Sequence, residues 1–145
     1  MLGRLAKWLR ILGYDTFYFN DVTPQDLIKT VLSDGRVLLT RNHRISEKKG
    51  IRMLLIKSEN FEEQMKEVIE RFELKSGNFL TRCPCCNTIL DMVTKESVQG
   101  KVPPFVYSSY DEFAICGKCD KYFWKGTHLS DMIERVKKIC KKETK

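Results

Sequence analysis

The sequence has no cysteine before residue 80, no internal repeat and no low-complexity segment. It also has no apolar run approaching the ~20 residues that cross a bilayer, which excludes a membrane-spanning helix. Its opening, Met1-Leu2-Gly3-Arg4-Leu5-Ala6-Lys7-Trp8, alternates apolar and basic residues. Without an uninterrupted apolar core or a cleavage site, that stretch is not expected to be a secretory signal. With 42% apolar and 31% charged residues, the composition is that of a folding chain rather than a disordered basic tail. Six cysteines without an export signal point to metal ligands or reduced thiols before disulfides, and to a cytoplasmic location. Intracellular proteins of hyperthermophiles are the exception that keeps disulfides open.

What is present divides in two. The 145 residues suffice for one ordinary domain or two small ones. The cysteines and a polar, glycine-containing join at Lys75-Ser76-Gly77-Asn78 place the expected boundary between residues 1–75 and 76–145. The net charge of +7 is shared, +3 in the first part and +4 in the second. The tail from Lys141 to Lys145 reads as a solvated helix end.

The first part alternates helix and strand. Leu2, Leu5, Leu9 and Leu12 recur at helical spacing beside Trp8, and Gly13 ends that helix. Phe17-Tyr18-Phe19 is expected as a short strand. Thr23-Pro24 reads as an N-cap and a first-turn proline for a helix with Leu27, Ile28, Val31 and Leu32 on its apolar face and Gly35 at its end. Val37–Thr40 and Met53–Ile56 are continuous apolar strands, as in a sheet covered on both faces. Phe61, Met65, Val68, Ile69 and Phe72 line a further helix. This order, with a short helix between the two apolar strands, predicts an α/β fold: a small parallel sheet flanked by helices.

The second part carries the strongest signal. Cys83-Pro84-Cys85-Cys86 and Cys116-Gly117-Lys118-Cys119 each hold cysteines two residues apart. Such turns bring two sulfurs to one ion, and a tetrahedral Zn²⁺ takes four. Asn87 and Asp120 follow the two pairs, and both tolerate the left-handed backbone these turns need. Candidate strands are Thr88–Val93, Val102–Tyr107 and Tyr122–Trp124. The layout is a zinc ribbon with a closing helix, its zinc held by Cys83, Cys86, Cys116 and Cys119 in a structural site with no open position for water. Two disulfides or a redox pair are the competing readings. Cys85 is a bystander, and Cys140 lies on an apolar helical stripe with Met132, Ile133, Val136 and Ile139. His128 has three readings: a substitute ligand, a nucleic-acid contact or a packed surface side chain. His43 sits in a polar loop and is assigned no chemistry.

The block Met1–Thr16, with Gly35-Arg36-Val37-Leu38-Leu39-Thr40-Arg41, resembles the Mut-7 C-terminal RNase family. So do Arg82-Cys83-Pro84, Cys86-Asn87, Val102-Pro103, the second cysteine pair and Tyr122–His128. The resemblance spans nearly the whole chain. It implies a PIN-like nuclease domain followed by a zinc ribbon, with two or three strand-end carboxylates holding Mg²⁺ or Mn²⁺ to activate water for phosphodiester cleavage. The family has an aspartate on a strand before the opening block. This chain begins at that block, so strand and aspartate are expected to be missing. Where the family reads Thr-Arg-Asp, this chain has Thr40-Arg41-Asn42, a neutral amide that holds a divalent cation more weakly. Asp21 or Asp26 answers to a further family acid near the second helix, and Asp15 and Asp21 remain as strand-end carboxylates. Each also has an ordinary reading as a helix-turn cap or a solvated loop acid.

A shared positive charge is the electrostatic footprint of phosphate contacts. The expected RNA-facing residues are Arg4, Lys7 and Arg10 on the outer side of the first helix, Arg41, Arg44, Lys48 and Lys49 after Thr40, and Lys118, Lys121 and Lys125 about the second zinc turn. The leading expectation is an RNA-binding protein that cleaves weakly or not at all. Competing readings are an active Mg²⁺-dependent ribonuclease, a structural component of an RNA assembly that meets ribosomal RNA or ribosomal proteins, and a protein-binding adaptor. No small-molecule cofactor and no membrane partner are expected.

Overall fold

The computed structural model describes residues 2–44, 50–75 and 78–141; the side chains of His128, Cys140 and Lys141 are outside that set. The expected α/β architecture is present. Helices α1 (Gly3–Ile11) and α2 (Pro24–Asp34) lead into strands β1 (Leu38–Thr40) and β2 (Met53–Leu55), then helix α3 (Phe61–Phe72). Strand β3 (Asp91–Val93), the short helix α4 (Pro104–Ser109), strands β4 (Phe113–Cys116) and β5 (Lys121–Phe123) and helix α5 (Thr127–Lys141) complete the chain.

The element ends follow local chemistry. Thr23 Oγ1 accepts the Asp26 N–H, Pro24 fills the first helical position where no N–H is needed, and Gly35 closes α2 at φ 64°. Asn60 caps α3 by accepting the Glu63 N–H at 3.1 Å. β1 and β2 pair in parallel, with Leu38 opposite Met53 and Thr40 opposite Leu55. Leu38 donates to Arg52 O and Thr40 O accepts from Ile56 N–H, so the Leu39 amide and carbonyl face the opposite edge of β1. Among the described residues no strand pairs with that edge.

The main core joins α1, β2, α3 and α5. Leu5, Trp8, Leu9 and Leu12 pack with Ile56, Met65, Val68 and Ile69, and Met132 and Val136 of α5 complete the cluster. The last helix therefore leaves the antiparallel sheet and returns to the first part of the chain. A smaller cluster of Val31 and Leu38 with Leu27, Ile51 and Met53 seats α2. Leu32 falls outside it and is 59% exposed, because one residue past Val31 the helix has turned about 100°.

Two strand expectations are corrected. Phe17–Phe19 forms no strand: it runs beside the cavity next to β1 without pairing, its two phenyl rings edge to face at 6.0 Å. Apolar and aromatic composition alone does not make a strand when no backbone partner is aligned with it. Val102–Tyr107 is not a strand either. Pro103-Pro104 opens α4, with Pro104 in its first turn and Tyr107 N–H donating to Pro103 O at 3.0 Å. The place of that strand is taken by β4, central in the order β3-β4-β5, with Ala114 opposite Met92 and Phe123. Of Thr88–Val93 only Asp91–Val93 is strand, preceded by a single bridge from Ile89 to Arg82. The expected short helix between β1 and β2 falls partly on residues 45–49, outside the described set, as does part of the join at 76–77.

Candidate metal centre and the cleft beside it

The two cysteine turns are built alike. Asn87 N–H donates to Cys83 O at 2.9 Å, and Asp120 N–H donates to Cys116 O at 2.8 Å. Asn87 and Asp120 both take left-handed backbone, at φ 73° and 59°, as residues with short polar side chains can. Leu90 and Ala114 pack behind the sulfurs, and Cys83 and Cys116 are fully buried.

The four Sγ atoms of Cys83, Cys86, Cys116 and Cys119 all lie within 4.8 Å of one another. Cys83 Sγ is 3.9 Å from Cys119 Sγ, and Cys86 Sγ is 3.4 Å from Cys116 Sγ. A tetrahedron with Zn–S bonds of ~2.3 Å sets its sulfurs ~3.8 Å apart, so the donor set fits zinc. Burial pushes the Cys83 thiol up to about 12, whereas the Thr88 hydroxyl, 3.2 Å from Cys86 Sγ, holds that thiol near about 6. The Cys119 thiol is raised, chiefly by its contact with Cys86. Sulfurs this close cannot all be anionic without a cation. Zn²⁺ would supply that charge and hold all four as thiolates. Cys85 is exposed and outside the set, its nearest partner being Lys121 Nζ at 3.8 Å.

A cleft of about 410 Å³ lies in the first part of the chain, bounded by Leu9 of α1, the segment around Phe17, Val31 of α2, Leu39 of β1 and Phe72 of α3, and its wall residues Asp15 and Thr16 bond Asn87 of the first cysteine turn. A family model for the Mut7-C RNAse domain matches residues 1–136. The chain belongs to that family. Membership gives it a nuclease-like, RNA-related role. No curated protein and no solved structure matches the chain.

The candidate acids of this Mut7-C chain are spread out. Asp15 sits on the cleft wall and is fully engaged. Arg36 Nη2 is 3.0 Å from one carboxylate oxygen, Asn87 Nδ2 donates to the other at 2.6 Å, and Arg82 is 3.9 Å away. The Asn87 hydrogen bond above all holds its carboxyl below the usual carboxylate range; burial opposes it, and Arg36 and then Arg82 add to the lowering. Asp21 is exposed in the turn before α2. Asp26 is exposed in the first turn of that helix, where its backbone, not its carboxylate, meets Thr23 and Thr30. Asn42 lies past the end of β1, its Oδ1 accepting the Arg44 N–H at 3.0 Å. Among the described residues, the only group of three or more candidate ligands is the cysteine set.

The cationic set is divided as well. Arg4, Lys7, Arg44, Lys118, Lys121 and Lys125 are exposed, with the Arg4 guanidinium 4.2 Å from the Phe61 ring centre. Arg41 reaches Glu59 at 3.5 Å, and its Nε is buried without a hydrogen-bond partner. Lys48 and Lys49 lie outside the described residues. The outer-face placement of Arg10 is corrected. It is only 8% exposed and donates to the carbonyls of Thr16, Pro84 and Cys85. Its helical position follows Leu9, but α1 is covered there by the cysteine turn. Arg36, Arg82 and Asn87 act as a unit that their positions in sequence do not reveal. Only the flanking of the first cysteine pair by Arg82 and Asn87 hints at it.

Proposed function

We propose that this protein binds RNA through its exposed cations and cleaves it weakly or not at all. Residues 1–75 would carry the nuclease-type part and residues 76–145 the zinc-bearing part. The observation behind this reading is the state of the candidate acids. Asp15 is committed to Arg36, Arg82 and Asn87, Asn42 is neutral and spent on a turn, and Asp21 and Asp26 stand apart on the surface. Hydrolysis by Mg²⁺ or Mn²⁺ needs converging carboxylates to hold the ion that activates water. The net charge of +7 supports phosphate contact by the exposed Arg4, Lys7, Arg44, Lys118, Lys121 and Lys125, with the half-buried Arg41 and, outside the described residues, Lys48 as further candidates. A zinc-thiolate centre suits a reducing compartment, in line with a cytoplasmic protein.

The test is an RNase assay with Mg²⁺ or Mn²⁺ on the purified protein. RNA retained on the protein with little cleavage is expected. Robust cleavage that EDTA abolishes, and that Asp21→Ala or Asp26→Ala removes, would instead establish an active metal-dependent ribonuclease. Co-sedimentation with ribosomal subunits in moderate salt tests whether the RNA and its proteins are ribosomal.

A further inference from the structure

The first cysteine turn and the wall of the cleft form one hydrogen-bonded unit. Arg10, in the last turn of α1, donates from Nε to Thr16 O at 2.8 Å. Its Nη1 donates to Pro84 O at 3.1 Å and to Cys85 O at 3.2 Å. Asn87, 8% exposed, closes the same turn. Its Oδ1 accepts the Thr16 N–H at 3.0 Å, and its Nδ2 donates to Asp15. Beneath them Leu80 N–H donates to Ile11 O at 2.8 Å. Gly13, at φ 98°, lies so near that a Cβ there would meet Asn78 O at 2.6 Å.

These contacts have a direction of dependence. A buried guanidinium must keep its acceptors, because leaving the charge unpaired is costly. Two of those acceptors, Pro84 O and Cys85 O, lie between two of the sulfurs that fit the metal. Their orientation holds only while the turn holds, and a shared ion fixes the turn by tying Cys83 and Cys86 together. Residues 14–19 have no strand pairing of their own. They are held from outside: Arg10 and Asn87 bond Thr16 and Asp15, Arg36 meets Asp15 and the Phe17 ring, and Tyr14 bonds Leu9 and Lys75.

We propose that zinc at Cys83, Cys86, Cys116 and Cys119 sets the position of residues 14–19, and with it Asp15 and the cleft wall, acting through Arg10 and Asn87. The zinc centre is then a structural effector of the nuclease-type half and not only a staple of its own sheet. This rests on the zinc reading of the cysteine set. Arg10 and Asn87 are positioning residues: they carry the shape of the cysteine turn to the segment around Thr16.

The test is amide hydrogen exchange on the zinc-loaded and chelator-treated full chain, with zinc content measured in parallel. Chelation should raise exchange at Thr16 and Leu80 by on the order of tenfold or more, while the amides of Val68 and Ile69 in α3 keep their protection. Unchanged protection at Thr16 after zinc removal would overturn the coupling. Loss of protection across α3 as well would also overturn it, since the metal would then hold the whole fold. Purified protein without zinc would overturn the zinc reading itself, an outcome distinct from both. A second arm uses Asn87→Gly, which keeps the left-handed backbone and deletes both side-chain bonds. It should retain its zinc, exchange Thr16 about tenfold faster, and return the Asp15 carboxyl toward its ordinary titration. A wild-type Thr16 exchange rate and Asp15 titration in Asn87→Gly would refute the role of Asn87.

Discussion

Asp15 shows how a single side chain changes meaning when its neighbours are known. As a loop acid it is a candidate metal ligand; in the folded chain it is the acceptor of Asn87 and the partner of Arg36. Its carboxyl is held below the usual value, so its contribution to stability is complete above the unfolded pKa of about 3.9 and disappears as pH falls through the lower folded value. Wild type should therefore melt above Asp15→Asn at pH 5, and the gap should close as pH is lowered toward 2. Thermal melts of both proteins across that range check it, and a gap that persists at low pH would contradict it. The side chain is 46% exposed and solvent screens its ion pairs, so the effect is modest. The cysteines give a sharper contrast. Cys116→Ser should abolish stoichiometric zinc, measured by metal analysis, because it removes a fully buried donor. Cys85→Ser should leave zinc content unchanged, because that sulfur stands outside the set.

Among the elements, α2 and α5 behave differently for reasons of packing. α2 depends on local signals, its Thr23 cap, first-turn Pro24 and terminal Gly35, all legible in sequence. Thr23→Ala should cost about 1 kcal/mol in urea unfolding. α5 depends on distant contacts. Its apolar stripe is visible from periodicity, but its partners in α1 and α3 are not. Met132→Ala should cost about 2–5 kcal/mol, the range for a buried side chain cut back to a methyl. A loss below about 0.5 kcal/mol, as at exposed surface positions, would mean that α5 does not seal this core. Pro103-Pro104 starts α4 by the same kind of local signal that Thr23-Pro24 gives α2. Proline after proline is a helix-start signal, and apolar content outweighed it in the strand reading of Val102–Tyr107.

For the whole molecule, charge and connection matter together. The excess of basic residues is spread over both parts, and most of the cations expected to face RNA are exposed. RNA affinity should fall steeply with added salt. Replacing Lys118, Lys121 and Lys125 by alanine should reduce the slope of log K against log salt by about one for each phosphate left without its lysine. Affinity that does not change with salt would contradict a phosphate-driven surface. Arg10 is outside that set. Its charge joins the two parts, so counting it among the RNA-facing cations would misplace it.

The sequence by itself determined the four cysteines that the fold brings together, the left-handed residues after each cysteine pair, the caps of α2, the parallel strands and the family. Each of these is a local pattern: a spacing, a turn residue, a short apolar run. Only the tertiary structure decided that Phe17–Phe19 pairs with nothing, that β4 is the central strand, that α5 returns to the first core, and that Arg10 and Asn87 tie the cysteine turn to the cleft. The last two depend on which surfaces meet across long stretches of chain, 74 residues from Arg10 to Pro84, and a guanidinium on an amphipathic helix looks the same in sequence whether water or a carbonyl waits at its end.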